Sequence, residues 1–305
     1  MDKKIRGDPM IISASRRTDI PAFYSEWMIN RFREGYVHTK NPMNPNQIKR
    51  IELSPDHIDC IVFWTKDPEP MLPRLLELDD MGYHYYFQFT LTPYDRGIER
   101  RLRDKKEILQ TFKKLSDSIG EDRVLWRYDP ILLNEDITIG YHKSSFEKLC
   151  RELQGYTGSC TISFIDLYAK LRSAVQEKLI RALQEEEMHQ LSYIFSETGY
   201  KYGMELKACV TEEFDFSLYG ITSAACIDPT IIEKICQKSI KIKKDHNQRK
   251  GCNCVQSTDI GIYNTCANGC VYCYANHSET SITKNNLLHD TKSSILINHV
   301  RSNTP

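Results

Sequence analysis

Apolar positions along this chain fall in short runs separated by longer amphipathic stretches, and the two kinds alternate. Runs rich in Val, Ile, Tyr, Phe and Trp predict strands at residues 10–14, 36–39, 60–64, 83–91, 124–127, 160–164 and 202–210. Between them, apolar residues recur at helical spacing over 25–33, 71–80, 104–119, 144–154 and 177–198. In the last of these, Glu185, Glu186 and Glu187 read as a solvated face. Regular strand and helix alternation is the pattern of a parallel α/β sheet. The expected fold is therefore α/β, a (β/α) barrel, TIM-like or partial, over residues 1–237. A basic linker at 238–251 and a Cys-rich module at 252–305 follow, the module capping the strand-end mouth.

Composition narrows the functional classes. The 305 residues are 40% hydrophobic and 27% charged, enough to bury a core, and 41 Lys and Arg offset 41 Asp and Glu. No global field points to nucleic acid, so such a role needs a local patch. The one candidate patch is 238–251, with six Lys or Arg against one Asp; the bland alternative is a solvated edge leading into the Cys-rich segment. The longest apolar stretch, 58–64, is interrupted by Asp59 and falls far short of the roughly 20 residues that span a bilayer. The opening M-D-K-K-I-R-G-D-P-M has no apolar core of a secretory signal. The expectation is a cytoplasmic protein with no membrane partner. Neither a P-loop nor a G-x-G-x-x-G occurs.

The 11 cysteines change the picture most. An odd count without an export signal argues against a disulfide framework. Cys60 and Cys150 sit singly and read as small buried hydrophobes. Five cysteines crowd into 252–273, a density that packing does not require, and thiolates bind soft metals. Cys266, Cys270 and Cys273 offer three thiolates from one loop. A 4Fe-4S cluster held by three leaves one iron open to a substrate or cofactor, whereas a fourth thiolate from Cys252 or Cys254 would make a structural zinc or closed cluster. Outside the loop, Cys209, Cys226, Cys252 and Cys254 are a complete set for zinc or a second cluster. The alternative is a buried Cys209, with Cys252 and Cys254 flanking a turn without metal.

The string C-A-N-G-C-V-Y-C-Y-A from Cys266 resembles the three-cysteine loop of radical S-adenosylmethionine enzymes, in particular the spore photoproduct lyase branch. Over nearly the whole chain, S-R-R-T-D-I-P-A-F-Y, F-W-T-K from Phe63, Q-F-T-L-T-P-Y from Gln88, W-R-Y-D-P-I-L from Trp126 and S-F-I-D-L-Y from Ser163 resemble the bacterial domain of unknown function family 1848. The resemblance implies that Cys266, Cys270 and Cys273 each ligate one iron, that S-adenosylmethionine chelates the fourth, and that Tyr272 lies against its adenine. Here the loop lies beyond residue 265 rather than after the first strand, and no Gly-Gly-Glu occurs. A barrel sets its last strand beside its first, which would bring a C-terminal loop over residues 13–19. Asp259 is expected to help anchor that crossing, against the simpler reading of an exposed turn carboxylate.

Strand ends supply the remaining candidates, because a (β/α) barrel builds its working face there. Arg16, Arg17 and Asp19 follow the first strand; Lys40 and Asn41 the second; Lys66 the third; Gln88, Arg127 with Asp129, Ser163 with Asp166, and Lys207 the later ones. Arg16, Arg17, Asp19, Lys66, Arg127 and Asp129 are taken as catalytic candidates, and convergence of Lys40, Lys66, Arg127 and Lys207 would make an anion pocket. The alternative for Arg16, Arg17 and Asp19 is a salt-bridged corner, and for Ser163 and Asp166 a helix cap. These readings combine into an iron–sulfur enzyme of radical S-adenosylmethionine type. It would act on an anionic small molecule, nucleotide or nucleic acid and take electrons from a one-electron donor such as a flavodoxin or ferredoxin. The rival is a metal-stabilised (zinc or iron–sulfur) nucleic-acid-binding protein without radical chemistry.

Overall fold

A computed structural model describes residues 9–211 and 214–298; the expected segments 1–237 and 252–305 extend outside these at 1–8, 212–213 and 299–305. The chain opens with β1 (Ile11–Ala14), α1 (Ile20–Phe23), α2 (Ser25–Glu34), β2 (Tyr36–Asn41), β3 (Asn44–Glu52) and β4 (Cys60–Thr65). It continues through α3 (Leu75–Asp80), β5 (Tyr85–Thr90), α4 (Lys105–Ile119), β6 (Val124–Ile131), α5 (Ile139–Leu153) and β7 (Ser159–Phe164). The last elements are α6 (Arg172–Gln176), α7 (Glu185–Lys201), β8 (Glu205–Ala208), β9 (Thr222–Ser223), α8 (Pro229–Cys236), β10 (Thr258–Asp259) and α9 (Glu279–Leu287).

Eight of these strands form one sheet in the order β10-β1-β4-β5-β6-β7-β8-β9, every neighbouring pair parallel. Among the described residues no pairing joins β9 to β10. The sheet strands are nearly continuous apolar runs because both faces are covered. Alternate residues diverge. Ile12, Ile61, Phe63, Tyr85, Phe87 and Trp126 enter a core shared with Trp27, Phe112, Phe146 and Phe195 of the surrounding helices. Ile11, Cys60, Val62, Tyr86 and Leu125 meet Ile227, Ile232, Cys236, Ile240, Cys254 and Val255 on the other face. The segment around α8 thus lines the sheet, and the stretch 238–251, expected as a linker, contributes Ile240 to this second core.

The expected strand at 36–39 pairs elsewhere. β2 and β3 make a separate antiparallel hairpin, with Val37 opposite Ile51 as its buried pair. Polar residues flank that pair, which suits a hairpin with one wet face and not a strand buried on both sides. Lys40 and Asn41 are therefore not at the parallel strand ends. The expected helix 177–198 begins only at Glu185, where Gln184 and Glu187 form a capping box. Glu187 thus closes a helix end and also pairs with Arg181 (2.6 Å), while Glu185 and Glu186 are exposed. The expected helix 71–80 is tighter at its start, a 3-10 turn over Glu69–Arg74 containing Pro73 that passes into α3. No helix among the described residues is long and apolar enough to cross a membrane.

Candidate functional site

The site is assembled where the chain's two ends meet. β10 pairs with β1, placing Asp259 opposite Ser13. Its carboxylate accepts hydrogen bonds from Ser13 Oγ (2.9 Å), Ser15 Oγ (2.7 Å), Arg16 N (2.8 Å) and Gly261 N (3.0 Å). Asp259 anchors the crossing instead of lying open on a turn. At Gly261 a Cβ would stand 2.1 Å from Ser15 Oγ, so no side chain fits beneath the strap.

The strap leads into the cysteine loop, which lies against the rim after β1, β4 and β5. Cys266 is buried, and Cys270 and Cys273 are half-buried. Arg101 N donates to Asn268 O (3.1 Å) and Val271 N to Ile98 O (3.0 Å), pinning the loop to the segment after β5. Asn268 Nδ2 donates to Asp19 (3.2 Å), and the Tyr274 hydroxyl to Arg16 O. Asp19 also accepts from Lys66 N (2.8 Å) and Ala22 N (3.1 Å), coupling β1, β4 and the loop. Burial raises its pKa to about 6, against the hydrogen bonds that favour the charged form. Burial likewise pushes the Cys270 thiol up to about 12, partly offset by the Lys66 charge, and pushes Cys266 well above the usual range.

Glu99, which the sequence reading missed, is the hub beneath this loop. It is 1% exposed and accepts from Lys66 Nζ (2.7 Å), Thr92 Oγ1 (2.8 Å), Lys105 and the Tyr272 hydroxyl. Burial raises its pKa, but Lys66 and Lys105 outweigh that and hold it at about 2. Lys66 also lies over the Tyr272 ring at 5.3 Å. In the sequence Glu99 is one acid in a charged loop with no motif around it; its only signal is that this loop follows a strand and so starts from the rim.

A second group lies on the other side of Trp64. Arg16 and Arg127 both approach the Trp64 ring, at 5.2 and 5.5 Å. Arg16 Nη2 is buried without a hydrogen-bond partner. Arg17 instead donates to Gly261 O (3.3 Å), stands 3.9 Å from Asp259 and lies over Tyr263 at 5.4 Å, a structural corner. Arg127 is buried and contacts Asp129 (2.5 Å), Cys226 Sγ (3.1 Å) and Cys209 Sγ (3.3 Å). The two sulfurs are 3.6 Å apart. The Cys226 thiol is held well below its usual range by its hydrogen bonds with Cys209 and Cys254 and by the adjacent Arg127, which together outweigh burial.

The structure therefore brings Arg16, Asp19, Lys66, Tyr272, Cys266, Cys270 and Cys273 to one rim, with Arg127, Asp129, Cys209, Cys226 and Cys254 beside them. Other candidates fall elsewhere. Lys40 is on the hairpin, and Lys207 pairs with Glu205 of its own strand (3.3 Å). Ser163 donates to Phe164 O (3.3 Å), and Asp166 pairs with Arg249 (2.5 Å). In the basic run, Lys238 is likewise tied to Asp59 (2.7 Å). Among the described residues, no three Cys, His, Asp or Glu side chains stand as a finished single-ion site. A cluster makes a different demand, one thiolate on each of several irons, so its sulfurs need not converge on one point.

Sheet and rim together define a parallel α/β protein whose C-terminal cysteine loop closes over the carboxyl ends of its first strands. A family model for Domain of unknown function (DUF1848) matches residues 11–275, and the chain belongs to that family. No curated protein matches it. A solved structure described as a candidate alpha-L-fucosidase from Bacteroides thetaiotaomicron aligns over 62% of this chain and 76% of its own, at 10% identity and a TM-score of 0.25.

Proposed function

We propose that the protein is an iron–sulfur enzyme of radical S-adenosylmethionine type, with Cys266, Cys270 and Cys273 as the ligands of a 4Fe-4S cluster. On this reading the α/β sheet acts as a partial barrel with the cluster loop capping its mouth. The observation that carries it is the seating of a three-thiol loop on the rim after β1, β4 and β5, where catalytic groups of parallel α/β proteins gather. The donor set suits the group. It offers three soft ligands from one loop, two of them half-buried, with Lys66 beside Cys270 to offset thiolate charge. When bound, the cluster would supply one electron to the sulfonium of S-adenosylmethionine, drawn from a flavodoxin- or ferredoxin-like donor.

The chain's own residues would do the positioning. Glu99 holds Lys66, Lys105 and the Tyr272 hydroxyl, and so fixes the loop's back side. Asp19 and Asn268 fix its front. Arg16, with an unsatisfied buried Nη2, supplies a cation for an anionic substrate, while Arg127, across the Trp64 ring, is already engaged by Asp129, Cys226 and Cys209. Anaerobic reconstitution with iron and sulfide, then reduction in the presence of S-adenosylmethionine, tests the reading. Release of 5′-deoxyadenosine that depends on Cys266, Cys270 and Cys273 is expected. A reconstituted, reducible cluster that never cleaves the cofactor would overturn it.

A further inference from the structure

We infer that Cys209, Cys226, Cys254 and Cys252 form a second, separate site that binds one zinc ion as a tetrahedral thiolate centre. Three observations converge. First, Cys209 Sγ and Cys226 Sγ are 3.6 Å apart, although one follows β8 and the other precedes α8. Zinc–sulfur bonds of about 2.3 Å set the edge of a thiolate tetrahedron at about 3.8 Å, so the pair already stands at ligand spacing. Second, Cys254 is hydrogen-bonded to Cys226, and Cys252 lies two residues before it in the chain. Cys254 thus already touches the pair, and the metal would draw in Cys252, its near neighbour in sequence, to complete the set. Third, Arg127 directs Nη1 at Cys226 and Nη2 at Cys209, at 3.1 and 3.3 Å. Thiolates bound to zinc carry surplus negative charge, and N–H donors aimed at the sulfurs are the outer-shell partners such ligands require. A 4Fe-4S cluster fits this pair less well, because it places each thiolate on a different iron, whereas sulfurs in contact suit a shared ion.

Metal entry has a route. Cys209 lines a cavity of about 150 Å³ beside Val210, Phe214, Phe216 and Ser223. The zinc would tie the end of β8 to both sides of the α8 segment, the part of the chain that covers the second face of the sheet. This inference does not rest on the radical-enzyme reading, and the two fail separately.

The test uses the full chain purified anaerobically from cells supplied with iron and zinc, with metals measured by mass spectrometry. The triple variant Cys266→Ser, Cys270→Ser, Cys273→Ser should lose its iron and keep about one zinc per chain. The double variant Cys209→Ser, Cys226→Ser should lose the zinc. Should that variant not fold, cobalt(II) added to the metal-stripped triple variant gives the same answer, through the intense visible bands of tetrahedral cobalt thiolate. A triple variant without zinc that gives no such bands would overturn the inference. So would iron retained in place of zinc, or a Cys209–Cys226 disulfide.

Discussion

The two groups of cysteines sit on neighbouring parts of one rim and are held in opposite ways. In the 266–273 loop, hydrogen bonds hold the backbone and the flanking side chains of Asn268, Tyr272 and Tyr274, and the thiols take only local backbone N–H groups, Asn268 N at Cys266 and Ala275 N at Cys273 (3.4 Å). Around Cys209 and Cys226 the sulfurs themselves are engaged, by each other and by Arg127. A frame that grips the loop and leaves its thiols to local backbone donors suits a centre with an open coordination position. Sulfurs that are already partnered suit a closed, structural one. This is the same division that separates catalytic from structural zinc.

The largest expected effect breaks the comparison outright. Replacing Cys266, Cys270 or Cys273 by Ala should abolish the brown colour and most of the iron of the reconstituted protein, while Cys252→Ala should leave both unchanged. Equal iron loss from both sets, measured per chain, would mean that the groups are not distinct. Next in size is Glu99→Gln, which leaves Lys66 and Lys105 without their shared carboxylate. Removing one partner of a buried ion pair costs about 3–5 kcal/mol, read as a lowered urea midpoint, and the loop side should loosen while zinc at Cys209 and Cys226 stays.

A third prediction uses acid. His142 lies in the core beneath the loop, bonded to Tyr128 (2.7 Å) and Leu132 O (2.8 Å) and edge-on to Tyr94, which in turn meets Tyr272. Burial lowers its pKa to about 4, against a backbone hydrogen bond that favours the cation. The folded state therefore favours neutral His142. That contribution is fully present above pH 6.5 and is lost as pH falls from 6.5 towards 4, a span worth about 3 kcal/mol. His142→Gln should remove this part of the pH dependence of stability. An unchanged slope would show that His142 is not the titrating group.

The smallest effect concerns the strap. Gly261→Ala would press a methyl group onto Ser15, and overpacking of this kind costs about 1–3 kcal/mol. Limited proteolysis should then cut first between β10 and the loop. An unaltered cleavage pattern and urea midpoint would show that the strap tolerates the methyl group.

What the sequence made legible follows from the physics of each part. Strands β4 and β5 are continuous apolar runs, and the three-cysteine loop is a local spacing, so both can be read without a structure. The hairpin of β2 and β3 reads as a barrel strand in the sequence because the short run 36–39 carries strand formers, whereas Ile51, the buried partner of Val37, lies 14 residues on. β9 and β10 have two residues each, too few for any period, yet β10 brings the chain's end to its beginning. Glu99 was invisible because nothing local marks a loop acid that Lys66, 33 residues back, and Lys105, six residues on, will enclose. Cys209 and Cys226 could be counted but not paired, since a gap of 17 residues carries no geometry.

The most direct test of the central claim, an open iron in the 266–273 loop, is electron paramagnetic resonance of the reduced, reconstituted protein with and without S-adenosylmethionine. A ligand on the open iron perturbs the cluster's own spectrum, so the account predicts a signal that shifts when the cofactor is added and disappears in the triple Ser variant. A signal of full intensity that is identical with and without the cofactor would contradict it.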